Sequence, residues 1–432
     1  MRVALINPPW SFDGSIYFGC REPHLPLELG YAKALLERDG HDVALLDGQL
    51  DGLTLDGMRA EHEGFAPDMT VVTTAPSYLF WRCAPPELRV PRETLAALRE
   101  SCRHTVVIGP HASTTPGAAL RKLGVDLVVL GESEETLREL ANTTPSAWDR
   151  VEHTASLAAG RPAVRGAVRQ ADMTALPALR WPAASVARHR HHHHRFDAAP
   201  AGPGAEMETS RGCPYHCSFC AKENFRNAYR KRPLGVILEE LDALLAQGIE
   251  YVYFIDEIFL PNRDLLEALV PRPVIFGVQT RIDLWNEGML ELLGRAGCVS
   301  IEAGVESITE RGRDLLDKQS RLSTDQITAR LEHARRHVPF VQANLIDAHV
   351  DDPGAVEAWR SRLYDAGVWA NKPVPLFPYP GSPDYGRLWG VPDDDAWERA
   401  LAYYLEQNHA FSDIQDASPR PLADLEQPLH AR

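Results

Sequence analysis

Short, continuous runs of aliphatic and β-branched residues alternate with stretches of helical apolar spacing, in two separate blocks of the chain. In the first block the runs are Val3–Ile6, Val43–Leu46, Met69–Thr73, Thr105–Ile108 and Leu127–Leu130, with helical stretches such as Pro26–Asp39 between them. Unbroken apolar runs mark strands buried on both faces, and intervening helices supply the crossovers that parallel neighbours need. Residues 1–145 are therefore expected to form a small doubly wound, Rossmann-like α/β domain. Ligands of such folds sit beyond the carboxyl ends of the strands. Here those ends carry Asn7-Pro8-Pro9, Thr73-Thr74-Ala75-Pro76-Ser77, Gly109-Pro110-His111 and Gly131-Glu132. The hydroxyls of Thr73, Thr74 and Ser77 could serve a ligand or simply cap their own turn.

Between about 146 and 204 the pattern fades into Ala, Pro and Arg, which reads as a connector. It holds His189 and the run His191–His194, taken as a solvated loop without a role. From Glu206 the alternation resumes. Strands are expected at Met207–Ser210, Tyr251–Ile255, Val274–Gln279, Val299–Ala303, Phe340–Ile346 and Pro373–Phe377. Six strands are too few for a closed eightfold barrel, so residues 205–375 are expected to form a partial (β/α)6 barrel of the TIM type. Residues 376–432 read as a C-terminal extension, a short helical appendage with a frayed tail.

Composition narrows the class. Forty-five basic residues face 60 acidic ones, a net charge of −15, which argues against a general nucleic-acid binder. No apolar run approaches the ~20 residues of a membrane-spanning helix. The opening MRVALINPPW lacks the apolar stretch of a secretory signal, so a cytoplasmic protein is expected. Of seven cysteines, Cys20, Cys83, Cys102 and Cys298 are isolated, and three fall in Cys213-Pro-Tyr-His-Cys217-Ser-Phe-Cys220. That grouping suggests metal chemistry in a reducing compartment.

Gly212 and Pro214 keep the cysteine segment out of helix and strand, so three thiolates can converge from one loop. A structural zinc site normally closes with four ligands; His216 could complete one. An iron–sulfur cluster held by three cysteines instead leaves one iron open.

CxxxCxxC with an aromatic, Phe219, before the last cysteine, directly after a first strand, resembles the radical S-adenosylmethionine (SAM) superfamily. The resemblance implies that Cys213, Cys217 and Cys220 hold a [4Fe–4S] cluster whose fourth iron is chelated by SAM. It extends over about 205–390. Tyr251–Phe259, with Asp256 and Glu257, resembles the strand whose end meets the SAM amino group. Gly277–Asp283, with Gln279 and Arg281, resembles the region that meets the ribose or carboxylate. Ser300–Ser307, with Glu302 and Glu306, resembles the form found in cobalamin-dependent members, and Tyr379-Pro-Gly-Ser-Pro383 resembles a later segment of theirs. Taken alone, each has a plain structural reading as a helix cap, an ion pair or a solvated carboxylate. Lys222, Arg226, Arg230, Lys231 and Arg232 read as a solvated basic loop.

The first block resembles the cobalamin-binding domain fused to many radical SAM proteins, its strand-end turns forming a shelf for the corrin. The Asp-x-His-x-x-Gly motif that supplies an axial histidine in cobalamin mutases is absent, and His111 is expected in the nucleotide-tail pocket instead. Together the resemblances imply a cobalamin-dependent radical SAM enzyme that cleaves SAM reductively, a C-methyltransferase acting on an unactivated carbon. The alternatives are a cyclase or rearrangement enzyme without methyl transfer, and a non-catalytic cobalamin or redox sensor. A small-molecule, natural-product or peptide substrate and an external flavodoxin- or ferredoxin-like one-electron reductant are the expected partners. The two strand-end faces are expected to oppose each other.

Overall fold

The computed structural model describes residues 1–16, 22–76, 84–190, 203–347, 349–407 and 421–426. The first block forms a seven-stranded sheet in the order β2-β1-β3-β4-β5-β6-β7. Its strands are β1 (Arg2–Asn7), β2 (Asp42–Asp47), β3 (Met69–Thr73), β4 (Thr105–Ile108), β5 (Leu127–Val129), β6 (Thr154–Ala158) and β7 (Arg161–Arg165). The first five pair in parallel, as the continuous apolar runs require. Successive residues divide between two cores with the strand period of two. Val3, Leu5, Val71, Val106 and Ile108 pack with Leu29, Leu36, Leu137 and Leu140 on one face. Ala4, Ile6, Val72 and Val107 pack with Met58, Leu98, Leu120 and Leu123 on the other.

The hairpin β6–β7 was not expected. Part of the segment read as a connector continues the sheet in antiparallel fashion, which makes the sheet mixed. The run His191–His194, Ser77, Cys20 and Cys83 lie outside the described residues.

The second block is a parallel sheet with six strand positions: β8 (Gly204–Met207), β11 (Tyr251–Phe254), β12 (Ile275–Thr280), β13 (Cys298–Glu306), β14 (Phe340–Asp347), and β15 (Trp369–Ala370) followed by β16 (Val374–Pro375), both paired with β14. Two short strands, β9 (Ser210–Arg211) and β10 (Arg230–Lys231), pair antiparallel beside it. This is the expected partial barrel. Its first strand ends at Met207, earlier than the sequence reading placed it. Several of its helices start at side-chain caps: Asn286 accepts from the Met289 N–H, and Ser323 forms a capping box with Gln326.

The two blocks share one apolar junction. Trp10, Phe12, Tyr31 and Ala75 of the first join Met173, Leu179 and Trp181 of the connecting segment and the barrel core. The C-terminal extension is more than an appendage. Its helix Ala396–Gln407 returns to the first domain, where Trp397 donates to Thr115 Oγ1 (3.0 Å) and Lys122 and Arg121 pair with Glu398 and Asp394.

Candidate active site between the two strand-end faces

The chain leaves β8 and turns at Gly212, whose φ is +77°. A Cβ there would stand 2.2 Å from the Ala228 carbonyl oxygen, so only glycine fits. The cysteine loop that follows is held at several points. Cys213 N–H donates to Asn227 O (3.2 Å), and Ser218 N–H to Leu316 O (2.9 Å). The Ser218 hydroxyl donates to Asp384, whose own N–H returns to Ser218 O. Lys222 Nζ donates to the Cys213 carbonyl. The Arg281 guanidinium stacks on Tyr215 at 4.0 Å. Phe219 is half-buried in the turn before Cys220.

Burial pushes all three thiols up, Cys220 to about 12, so thiolates there need a cationic partner such as iron. Among the described residues, the sets of three ligand atoms within 4.8 Å of one another are His24–His189–Glu206 and Glu291–His333–His337. The three thiols do not form such a set. His216 is exposed and paired with Glu223 (3.3 Å).

The strand ends next to the loop hold the remaining candidates. Asp256, fully buried, accepts from Thr209 N–H (2.7 Å), Thr209 Oγ1 (2.5 Å) and Ser210 Oγ (2.5 Å). Burial raises its pKa to about 6, and these hydrogen bonds oppose the rise. Glu257 accepts from Gly212 N–H (2.8 Å) and pairs with Arg226; burial raises it to about 7. Both acids thus hold the backbone that leads into the cysteine loop. Arg281 forks onto Asp283 (2.7 and 3.2 Å) and leaves its buried Nη1 without a protein partner. Gln279 Oε1 is likewise buried and unpartnered. A free guanidinium nitrogen and a free amide oxygen, two residues apart in sequence at the end of β12, are groups that a ligand with a carboxylate and an amino group could use. Glu302 accepts from the Tyr253 hydroxyl (3.3 Å). Glu306, at φ +63° where the β13–β14 register shifts, is paired with buried Lys318.

The basic segment corrects the sequence reading. Lys222, Arg226 and Arg232 are buried, and only Lys231 is exposed as expected. Arg226 pairs with Glu208 (2.8 Å), as does Arg211 (2.8 Å), and Arg232 pairs with Glu240 (2.8 Å). Arg211 also reaches Glu132 (2.9 Å) and Glu134 (2.7 Å) of the first domain, and Arg230 forks onto Glu132. Burial raises Glu132, but Arg211 and Arg230 hold it at about 2. The Tyr31 ring lies under both Arg211 (5.3 Å) and Arg232 (5.2 Å). Glu132 therefore ties the domains together rather than lining an open shelf. Sequence reasoning missed Arg211 and Glu208, and it read Glu134 only as part of the Gly131-Glu132-Ser133-Glu134 turn. Arg211 and Glu208 pair locally, three residues apart, but Glu132, Glu134 and Arg226 come from other segments, so the network as a whole has no local signal.

The other first-domain candidates meet at the same junction. The short helix Pro110–Thr114 lies with Cα atoms within 8 Å of Lys222–Asn224, so its strand-end face does face the cysteine loop. Gly109 (φ +118°) begins that helix. His111 is fully buried and its ring stacks on Trp397, 4.2 Å between centroids; burial lowers it to about 3. Thr73 Oγ1 donates to Ala75 O and Thr74 Oγ1 to Ile108 O, which is the turn-capping alternative. Gly131, at φ +85°, meets the Arg169 backbone so closely that a Cβ would stand 2.2 Å from its oxygen. Asn7 donates to Asp47 (2.9 Å) and accepts from Trp10 (2.7 Å), while Pro8 and Pro9 carry the chain past the strand end, Pro9 against Gly48. Asp47, not foreseen, keeps a buried unpartnered Oδ2, and burial raises it to about 7. It gives this face an orphaned polar atom of its own, as a face that takes a polar ligand would have.

The Radical SAM superfamily profile matches residues 207–351, and the B12 binding domain profile matches residues 20–141. An uncharacterized methyltransferase of Pyrococcus horikoshii is 24% identical over 335 residues, 74% of this chain and 68% of its own length. The anaerobic magnesium-protoporphyrin IX monomethyl ester cyclase of Cereibacter sphaeroides is 23% identical over 352 residues, 77% of this chain but 54% of its own. The radical SAM methyltransferase TsrM of Kitasatospora setae, solved with cobalamin and a [4Fe–4S] cluster, shares the fold with a TM-score of 0.69 at 19% identity, over 89% of this chain and 76% of its own. The chain thus carries a B12 binding domain ahead of a radical SAM domain, the arrangement of cobalamin-dependent radical SAM enzymes. Its cofactors are a [4Fe–4S] cluster, SAM and cobalamin. Among the described residues no helix is long and apolar enough to cross a membrane.

Proposed function

We propose that this chain is a methyltransferase acting on an unactivated carbon of a small-molecule substrate. The observation that carries the reading is the meeting of the two strand-end faces. Helix Pro110–Thr114 lies against Lys222–Asn224, and Glu132 is bound by Arg211 and Arg230. Methyl transfer needs the reacting centres within contact of one substrate, and a misplacement of about 1 Å can cost on the order of a hundredfold in rate. A junction locked by buried ion pairs supports such placement.

When bound, the cluster and SAM supply one-electron bond cleavage, and cobalamin supplies a methyl-carrying centre. The chain does the rest. Cys213, Cys217 and Cys220 would hold the cluster. Arg281 Nη1 and Gln279 Oε1 would orient the carboxylate and amino ends of SAM. Asp256 and Glu257 fix the Thr209–Gly212 backbone from which the loop departs. Asn7, Asp47 and the turn at Gly109-Pro110-His111 would line the corrin side. The apolar junction around Trp10, Phe12 and Ala75 would help to keep water from this space. The Pyrococcus relative is named as a methyltransferase, and TsrM has also been solved with tryptophan as substrate, which supports a small molecule.

The cyclase relative favours a second reading, radical chemistry without methyl transfer. Anaerobically reconstituted protein, supplied with cobalamin, SAM, a flavodoxin- or ferredoxin-like reductant and candidate substrates, separates the two. Cobalamin-dependent S-adenosylhomocysteine formation, with label from the SAM methyl appearing in product by mass spectrometry, is expected. 5′-Deoxyadenosine without S-adenosylhomocysteine would overturn methyl transfer in favour of the cyclase reading.

A further inference from the structure

Away from the cysteine loop, three groups of metal-binding type converge where the first domain, the connecting segment and the barrel meet. His24 lies just ahead of helix Leu27–Arg38, His189 just after helix Ala183–Arg188, and Glu206 inside β8. All three are buried, with relative exposures of 7%, 2% and 0%. One ligand atom from each lies within 4.8 Å of the others. His24 Nδ1 stands 2.9 Å from Glu206 Oε1, and the two imidazoles meet edge to face, 5.4 Å between centroids at 79°. A backbone bond from Arg190 N–H to Pro23 O (2.8 Å) clamps the two histidine-bearing segments together.

We propose that His24, His189 and Glu206 form a structural site for a divalent transition-metal ion of the zinc type. Two imidazoles and a carboxylate are a known set of three protein donors for zinc, in which a water completes the four ligands, with metal–ligand distances of about 2.0–2.2 Å. Ligands on a tetrahedral ion at that distance stand roughly 3.3 Å apart, so the present 2.9 Å His24–Glu206 contact need open only slightly. A simple histidine–carboxylate hydrogen bond would need two partners. The third group is brought from a third segment to within the same sphere, the convergence that a metal site needs. Burial closes the site to a substrate, so the ion would act as a staple. It would join the first domain to the strand that feeds the cysteine loop, and hold the two cofactor faces in register. The set contains no thiol and shares no residue with the cysteine loop.

Zinc is the probe. Full-length protein, cluster reconstituted and then desalted, is titrated with zinc sulfate, and bound zinc is measured by mass spectrometry of the metal after gel filtration. About one retained zinc per chain is expected, together with a higher thermal midpoint. His189→Ala and Glu206→Gln should each lose the retained zinc and the rise in midpoint. Protein with Cys213, Cys217 and Cys220 all replaced by Ala should keep both. Since the buried variants could unfold, the triple-cysteine protein is also loaded with cobalt(II). Its visible spectrum should show bands of nitrogen and oxygen ligation with no sulfur charge transfer. Zinc that survives both His189→Ala and Glu206→Gln, zinc that vanishes with the cysteines, or a failure of that protein to bind cobalt would each overturn the site.

Discussion

Replacing Glu132 with Gln tests whether the buried charges hold the two domains together. Glu132 accepts from Arg211 Nη1 (2.9 Å), from both terminal nitrogens of Arg230, and from the Ala171 N–H (3.1 Å). Gln keeps the shape, removes the charge and turns an amide N–H2 towards a guanidinium. Arg211 retains Glu134 and Glu208, so the loss falls mainly on Arg230. The magnitude follows from linkage. The carboxyl ordinarily titrates near 4.5 and is held at about 2. That gap amounts to about 3 kcal/mol, at roughly 1.36 kcal/mol per pH unit. The value matches the lower end of the ~3–5 kcal/mol lost when one partner of a buried pair is removed. The sign is that of a depressed carboxyl. The stabilisation is complete above the unfolded-state value near 4.5 and is lost as pH falls through the folded value of about 2. In urea at pH 7, with a slope of about 3 kcal/mol per molar, the variant should unfold about 1 M earlier than the parent. Tryptophan fluorescence of the cluster-free full chain reports the transition. The difference between the two proteins should narrow by about 1 kcal/mol at pH 4 and further at pH 3. Equal midpoints at pH 7, or a difference that does not shrink in acid, would refute the reasoning.

Anaerobically reconstituted protein should contain about four irons and four sulfides per chain, and alanine at Cys213, Cys217 or Cys220 should abolish the cluster and SAM cleavage together, as read by iron analysis and 5′-deoxyadenosine release. Gly212→Ala forces a Cβ to 2.2 Å from Ala228 O at φ +77°, so iron content after reconstitution should fall sharply while far-UV circular dichroism persists; full loading would count against the tight turn. Arg281→Met should weaken SAM binding to the cluster-loaded protein by about tenfold in equilibrium dialysis, the scale of one charged hydrogen bond; unchanged binding would remove Arg281 from the site. Bound cob(II)alamin should give an electron paramagnetic resonance spectrum without nitrogen splitting from an axial histidine, because His111 is fully buried against Trp397; splitting that disappears in His111→Ala would reverse this.

What could be read from sequence, and what could not, divides along physical lines. Strands buried on both faces write themselves as unbroken apolar runs, so the parallel strands of both sheets were legible. The cysteine motif was legible because one loop carries all three thiols. The hairpin β6–β7 was not, since Thr-Ala-Ser-Leu-Ala and Arg-Pro-Ala-Val-Arg carry no such run. Its turn also uses Ala159 at φ +48° before Gly160 at φ +77°, and Ala is not a residue that announces two positive φ values. The last barrel strand, expected whole at Pro373–Phe377, is two short pieces. Between them Asn371 bonds both the N–H and the carbonyl of Leu345 with its side chain, in place of ladder hydrogen bonds. Asp256 and Glu257 were placed at the correct strand end, but position does not give direction, and their oxygens turn towards Thr209 and Gly212. The basic segment failed for a related reason. A run of cations is a solvated face unless carboxylates from elsewhere cover it, and here Glu132, Glu208, Glu240 and Glu257 arrive from separate segments. The groups that would perform the chemistry are therefore local, whereas those that hold the two cofactor faces at a fixed distance are dispersed. A substitution in the dispersed set should thus alter the coupling between the cofactors while each cofactor still binds.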